Sequence, residues 1–351
     1  MTMLMFLIIV VIVVALAFDF VNGWNDSANA IATVVATRVM SPGVAVMMAA
    51  VLNLGGAMVG TKVANTMSKI IRVGPQLLAD GTTIEYVSQE SALIIVVAGL
   101  TSAAIWAAAM TLVGMPISGS HSLFGGVVGA GVAAAGAKML VGAEIKKTLL
   151  AMLFAPTLGF IVSYFFYVAL IWLTVKWRPS TMSRWFGKLQ ILSAGGMAFA
   201  HGTNDAQKVM GIITMALVAG GFQTPDPSGK FHVEFWVKIV CALAISVGTA
   251  VGGWGVIKTL GHHLTKLGPP EGFAAETSAA LVLWLAAHLG VPTSTTHTIT
   301  GSILGMGATR GMSSVRWGLG EKILLAWVFT FPSTIAMGGG LYWVLAKLLR
   351  P

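Results

Sequence analysis

The sequence predicts an all-α integral membrane protein assembled from two homologous repeats, and three observations predict it. Hydrophobic residues make up 56% of the 351 and charged residues 9%, about a third of the ~25% charge that covers a soluble domain. Apolar runs of helix length or nearly so recur at 4–18, 44–59, 92–113, 148–175, 235–257, 279–289 and 323–348, against the ~20 residues a span requires. Two polar motifs occur twice in the same order. Asn25-Asp26 and Asn204-Asp205 stand 179 positions apart, and Gly114 to His121 returns as Gly290 to His297 at a spacing of 176. Motifs repeating at nearly one offset mark an internal duplication whose copies meet around one site. About ten hydrophobic segments are expected in all, some too short to cross unaided.

Taken in order, the first repeat covers residues 1–175, a basic linker 176–188, and the second repeat 189–351. The opening run lacks a basic leading region and passes straight into the first Asn-Asp motif. It therefore reads as mature structure, not as a cleaved signal. Residues 74–86 and 223–233 carry Pro, Gly, Asp and Thr without apolar period and read as loops outside the bilayer. Residues 114–131 and 290–307 each follow a hydrophobic run without a charged turn, begin with proline and hydroxyls, and continue as a short apolar stretch. That pattern predicts a re-entrant or broken helix at the centre, tolerated only where protein or a cavity surrounds it. Proline at the first helical position, with Ser or Thr beside it, would start that helix.

The 42 glycines suit close helix packing in lipid as well as broken helices. A single cysteine, Cys241, excludes an internal disulfide and reads as packing. The net charge of +9 is spread over loops, which argues against a nucleic-acid patch and for the bias of Lys and Arg toward the cytoplasm. Lys176 to Lys188, with Arg178 and Arg184, is placed on that side; Lys138, Lys146 and Lys147 form a second basic cluster whose side stays open.

A carboxylate in hydrocarbon is costly and normally meets a cation, a proton or water. Asn25, Asp26 and Asn29 in one copy, and Asn204 and Asp205 in the other, offer oxygen ligands near glycines where the backbone can unwind. Oxygen-only ligation suits a hard cation such as Na⁺. Either pair alone also reads as a helix cap; duplication favours binding. Ser118, Gly119 and Ser120, matched by Ser294, Thr295 and Thr296, place hydroxyls beside an expected helix N-terminus, where free amides and the dipole favour an anion. Their alternative is bonding between packed helices. His121 and His297 either shuttle protons or orient the turn through a hydrogen bond. Glu90 and Glu276, each just ahead of a hydrophobic helix, either ligate a further cation or cap that helix. Gln207 and Lys208 extend the second motif, and Asp19 lacks a duplicate.

The Gly-x-Asn-Asp motifs at 23–26 and 202–205, followed by Pro-x-Ser-x-Ser-His and Pro-x-Ser-x-Thr-His, closely resemble the inorganic phosphate transporter (PiT) family over nearly the whole chain. The resemblance implies two repeats of inverted topology, phosphate bound with Na⁺ or H⁺ near the membrane centre, a homodimer in the cell membrane, and no resident cofactor. Carried over by motif, Asn25, Asp26, Asn29, Asn204 and Asp205 look like the cation-binding core. Ser118, Gly119, Ser120, Ser294, Thr295, Thr296 and Gln207 look like the phosphate cradle. Trp24 and Ser27 depart from the smaller or apolar residues frequent in the first motif. Three other readings remain open at this point. The family also includes sulfate permeases; phosphate, which keeps a proton, fits an acid-containing site better. Ser118, Ser120 and His121 with paired aspartates suggest an intramembrane hydrolase, against which the duplication of the whole polar set argues. A channel suits paired cation and anion sites less well than a symporter does.

Overall fold

In the computed structural model the described residues are 2–72, 76–77, 83–84, 86–224 and 232–349. Most of the loops expected at 74–86 and 223–233 lies outside them. The first half comprises α1 (Met3–Ala36), α2 (Pro42–Ala57), α3 (Lys62–Met67), β1 (Gln76–Leu77) paired antiparallel with β2 (Thr83–Ile84), α4 (Gln89–Leu112), α5 (Gly119–Ala135) and α6 (Gly142–Thr174). The second comprises α7 (Pro179–Ala219), α8 (Phe235–Val251), α9 (Trp254–Lys258), α10 (Pro269–His288), α11 (Thr295–Ala308) and α12 (Trp317–Leu349). Helix order repeats between the halves: the Asn-Asp motifs lie in α1 and α7, Ser118 and Ser294 cap α5 and α11, and Pro156 and Pro332 interrupt α6 and α12.

The halves interlock. Helix α1 packs on α8 and α2 on α7, while α5 packs on α12 and α11 on α6. Close approach at the first two of these contacts depends on glycine, because a side chain at Gly23 would collide with the Ile245 carbonyl and one at Gly202 with that of Asn53. One apolar core joins Val11 and Phe18 of α1 to Met210 and Ile213 of α7. Another joins Ile31 and Val34 of α1 to Ala194 and Met197 of α7. The start of α1 thus shares a core with the end of α7, and the end of α1 with the start of α7, so the two helices run antiparallel. Between these apolar cores lies a polar belt.

Among the described residues four helices are long and apolar enough to cross a membrane, α1, α4, α6 and α12, and a fifth span results if α8 and the segment Trp254–His263 count as one. The expected run of about ten segments is thus only partly matched by length and hydropathy. The run 235–257 is not one straight helix: it bends by 63° at Gly252, whose φ is +75°, and the freed amide of Gly253 donates to Ser27 Oγ at 2.7 Å. Helix α7 begins at Pro179, so most of the expected basic linker is helix and not loop. Unwinding at the Asn-Asp motifs does not occur; α1 and α7 are continuous helices through both. The Pro-Ser turns do start helices, but Ser118 and Ser294 are the N-caps and Pro116 and Pro292 lie two residues earlier in the extended lead-in. Proline at the first helical position is corrected accordingly.

Candidate binding site at the helix crossing

On α1 the polar residues Asp19, Asn22, Asp26, Asn29 and Thr33 recur at intervals of three and four, which places them on one face of a helix. On α7, His201, Asp205 and Lys208 do the same. The two stripes meet where the helices cross. His201 Nε2 lies 3.5 Å from Asp26 Oδ2 and 3.6 Å from Asp205 Oδ2, so one imidazole bridges the two duplicated carboxylates, and the three groups are close enough to share an ion. The ring is fixed from behind by Nδ1 at 2.8 Å from Asn53 Oδ1, and Asn53 in turn donates to Thr249 Oγ1. Neither His201 nor Asn22, which donates to Asp205 Oδ2 at 3.2 Å, was singled out from the sequence. The three-and-four spacing of polar residues in otherwise apolar helices is the signal that finds both.

The N-terminus of α11 closes the site from the second half. Thr295 Oγ1 donates to Asp26 Oδ2 at 3.1 Å and reaches Asp205 Oδ2 at 3.3 Å, and Thr296 Oγ1 donates to Asp26 Oδ1 at 2.9 Å. Asn29 Nδ2 donates to both threonine hydroxyls. On the other side Lys208 Nζ bonds Asp205 Oδ1 at 2.6 Å, Ser120 Oγ at 2.5 Å and the Thr293 carbonyl at 2.6 Å. Asn25 and Asn204 are equivalent and similarly held, through Nδ2 to Thr111 Oγ1 at 2.8 Å and to Thr293 Oγ1 at 3.2 Å. These arrangements use the amide nitrogens and leave the oxygens. The Oδ1 atoms of Asn22, Asn25, Asn29 and Asn204 accept no hydrogen bond, although each residue is at most 4% exposed. Buried carbonyl oxygens are normally satisfied. Four that are not, carried by the same two helices as the buried carboxylates, are oxygens of the kind that suits a hard cation.

The hydroxyl motifs divide their labour differently than expected. Ser118 and Ser294 accept from the amides of His121 and His297 as helix caps at 3.1 and 3.3 Å, which leaves the first-turn amides of Gly119, Ser120, Thr295 and Thr296 without intrahelical acceptors. Gly119 has no room for a side chain because Asn22 Oδ1 occupies that space. Gln207 is not part of a cradle. Its Oε1 caps α3 by accepting from the amides of Val63 and Ala64, and its Nε2 donates to the carbonyls of Val59 and Thr203, so both ends of the amide are engaged.

His121 and His297 lie with ring centroids 4.5 Å apart, and His297 stacks on Trp327 at 3.7 Å; they join α5 to α11. Among the described residues no histidine ring activates a serine, since Ser118 Oγ meets a backbone amide and Ser120 Oγ meets Lys208 and the Thr293 carbonyl. The Ser/His form of the hydrolase reading lacks its activated nucleophile. Glu90 and Glu276 do not pair with each other or join the crossing. Glu90 is half-buried in the first turn of α4, 21 residues before Thr111 and so roughly 30 Å along that helix from the Asn25 contact. Glu276 is fully buried and accepts from the hydroxyls of Thr33 and Ser193, roughly 10 Å along α1 from Asp26. Asp19 is buried beside Cys241 at the other end of the stripe.

A family model described as PHO4, phosphate transporter family, matches the chain twice, over residues 22–181 and 175–338. The chain is 42% identical to a "Probable low-affinity inorganic phosphate transporter" of Rhizobium meliloti (strain 1021) over 91% of its own length and 90% of the relative's. A protein of the same name in Bacillus subtilis (strain 168) is 36% identical over 98% and 99% of the two chains. A solved structure described as "The sodium-dependent phosphate transporter" superposes with a TM-score of 0.83 at 25% identity, covering 97% of this chain and 99% of that one.

Proposed function

Since the chain belongs to the phosphate transporter family, we propose that it is a secondary active carrier that imports inorganic phosphate by symport with a cation, Na⁺ or H⁺. The observation that carries this reading is the crossing itself. Two buried carboxylates and four unsatisfied carboxamide oxygens stand beside the N-termini of two opposed short helices. The oxygens attract a cation, and the first-turn amides and dipoles of α5 and α11 favour an anion. No arginine lies in the cluster, so a bound oxyanion draws its charge balance from cations and helix ends. Cation binding on Asp26 therefore completes the anion site, and each ligand strengthens the other by the same factor.

The antiparallel α1 and α7 support transport by alternating access. Two repeats of inverted topology around one buried site are interchangeable in their relation to the two membrane faces, and exchanging their conformations moves the opening from one face to the other. We place the protein in the cell membrane, with the basic α6–α7 junction on the cytoplasmic side. The test is uptake of radiolabelled phosphate into proteoliposomes under an inward Na⁺ or H⁺ gradient. Saturable, gradient-stimulated uptake competed by unlabelled phosphate is expected. Sulfate uptake of equal or greater rate, without competition by phosphate, would sink the substrate assignment, and conductance at single-channel scale would oppose the carrier.

A further inference from the structure

Asp26 and Asp205 are each followed three residues later by the side chain that defines their surroundings, and those side chains differ. Asn29 follows Asp26 and presents a free carbonyl oxygen; Lys208 follows Asp205 and presents an ammonium. An ammonium has three N–H donors. Lys208 spends them on Asp205 Oδ1, Ser120 Oγ and the Thr293 carbonyl, all at 2.5 to 2.6 Å, and none is left for an anion. A carboxylate, a hydroxyl and a backbone carbonyl are also the ligands a small hard cation takes. The corresponding group at Asp26 is the Thr295 and Thr296 hydroxyls with Asn29 close by, and no lysine or arginine among the described residues pairs with that carboxylate.

Resting on the carrier reading above, we propose that the Lys208 ammonium is a tethered cation that permanently fills the second of two equivalent cation positions, leaving only the Asp26 position for a coupling cation from solution. Lys208 then sets the number of cations moved per phosphate. The side chain is 3% exposed and its three partners come from α7, the N-terminus of α5 and the lead-in to α11, so it holds both short helices at the crossing without leaving on transport.

The test is the initial rate of radiolabelled phosphate uptake into proteoliposomes against external Na⁺, with choline as replacement, at several fixed pH values. Wild-type uptake is expected to be first order in its coupling cation. Lys208→Asn, which gives the second position the residue found in the first, should raise the overall cation order by one and add a Na⁺ requirement. Lys208→Arg, which keeps the charge, should keep the wild-type order, and Asn29→Lys should abolish cation dependence. A transporting Lys208→Asn protein with unchanged cation order overturns this proposal alone. Where that variant does not assemble, the zero-flux gradient of the wild-type protein decides: one cation per phosphate supports the tethered cation, and two overturns it. A wild type whose phosphate uptake ignores every cation defeats the carrier reading and this inference together.

Discussion

The surroundings of Asp26 and of Asp205 are built on the same plan, and they differ in charge. Both aspartates lie in the C-terminal half of a long helix, both lie within 3.6 Å of His201 Nε2, and both face the start of a short helix capped by serine. Asp205 is neutralised on the spot by Lys208 at 2.6 Å. Asp26 is met by the hydroxyls of Thr295 and Thr296. Duplication has thus copied where an acid sits without copying what it binds. The first site is furnished for a mobile cation and the second for a fixed one.

The largest expected effect separates the two acids. Asp205→Asn leaves the buried Lys208 without its counter-charge, a change that costs about 3–5 kcal/mol when a buried pair is broken. Thermal unfolding in detergent should register the loss, and uptake should vanish with it. Asp26→Asn removes a cation ligand while stranding no lysine, so the protein should keep near-wild-type thermal stability and lose cation-driven uptake on the order of 100-fold, the equivalent of about 2.7 kcal/mol of ligand interaction. Equal destabilisation by the two substitutions would erase the distinction drawn here. Gln207→Ala should cost about 1–3 kcal/mol of stability by uncapping α3, with the half-saturating phosphate concentration unchanged; a large rise in that concentration would return Gln207 to the anion site. Smallest is Glu90→Gln, expected within about 0.5 kcal/mol of wild type in stability and equal to it in uptake.

Much of this was legible in the sequence wherever the signal was local or duplicated. Composition identified the membrane class, and the repeated Asn-Asp and Pro-Ser motifs identified the residues that meet at the crossing. What escaped was set by partners distant in the chain. Gln207 reads as an extension of its motif until Val63 and Ala64, 144 and 143 positions away, are seen to consume its oxygen. His201 has Asn22 as its positional counterpart, so an exact-match search for duplicates passes over it, although both residues contribute to the same site. Glu90 and Glu276 looked alike because each precedes an apolar run, yet they are 186 positions apart where the motifs repeat at 179 and 176, and the structure separates them. The Asn-Asp motifs read as places where the backbone can unwind because glycines lie close to both buried carboxylates. Here side chains of α1, α7 and α11 supply the carboxylates' partners, and both helices run on unbroken.

The central claim is that a cation held at Asp26 creates the phosphate site. It is tested most directly by equilibrium binding of radiolabelled phosphate to purified protein, in Na⁺ and in choline, at several pH values, for wild type and Asp26→Asn. Wild-type affinity is expected to rise with Na⁺ or with H⁺, and that dependence is expected to disappear in Asp26→Asn. Phosphate binding that is equally tight in choline at every pH, or a cation dependence that survives in Asp26→Asn, would contradict it.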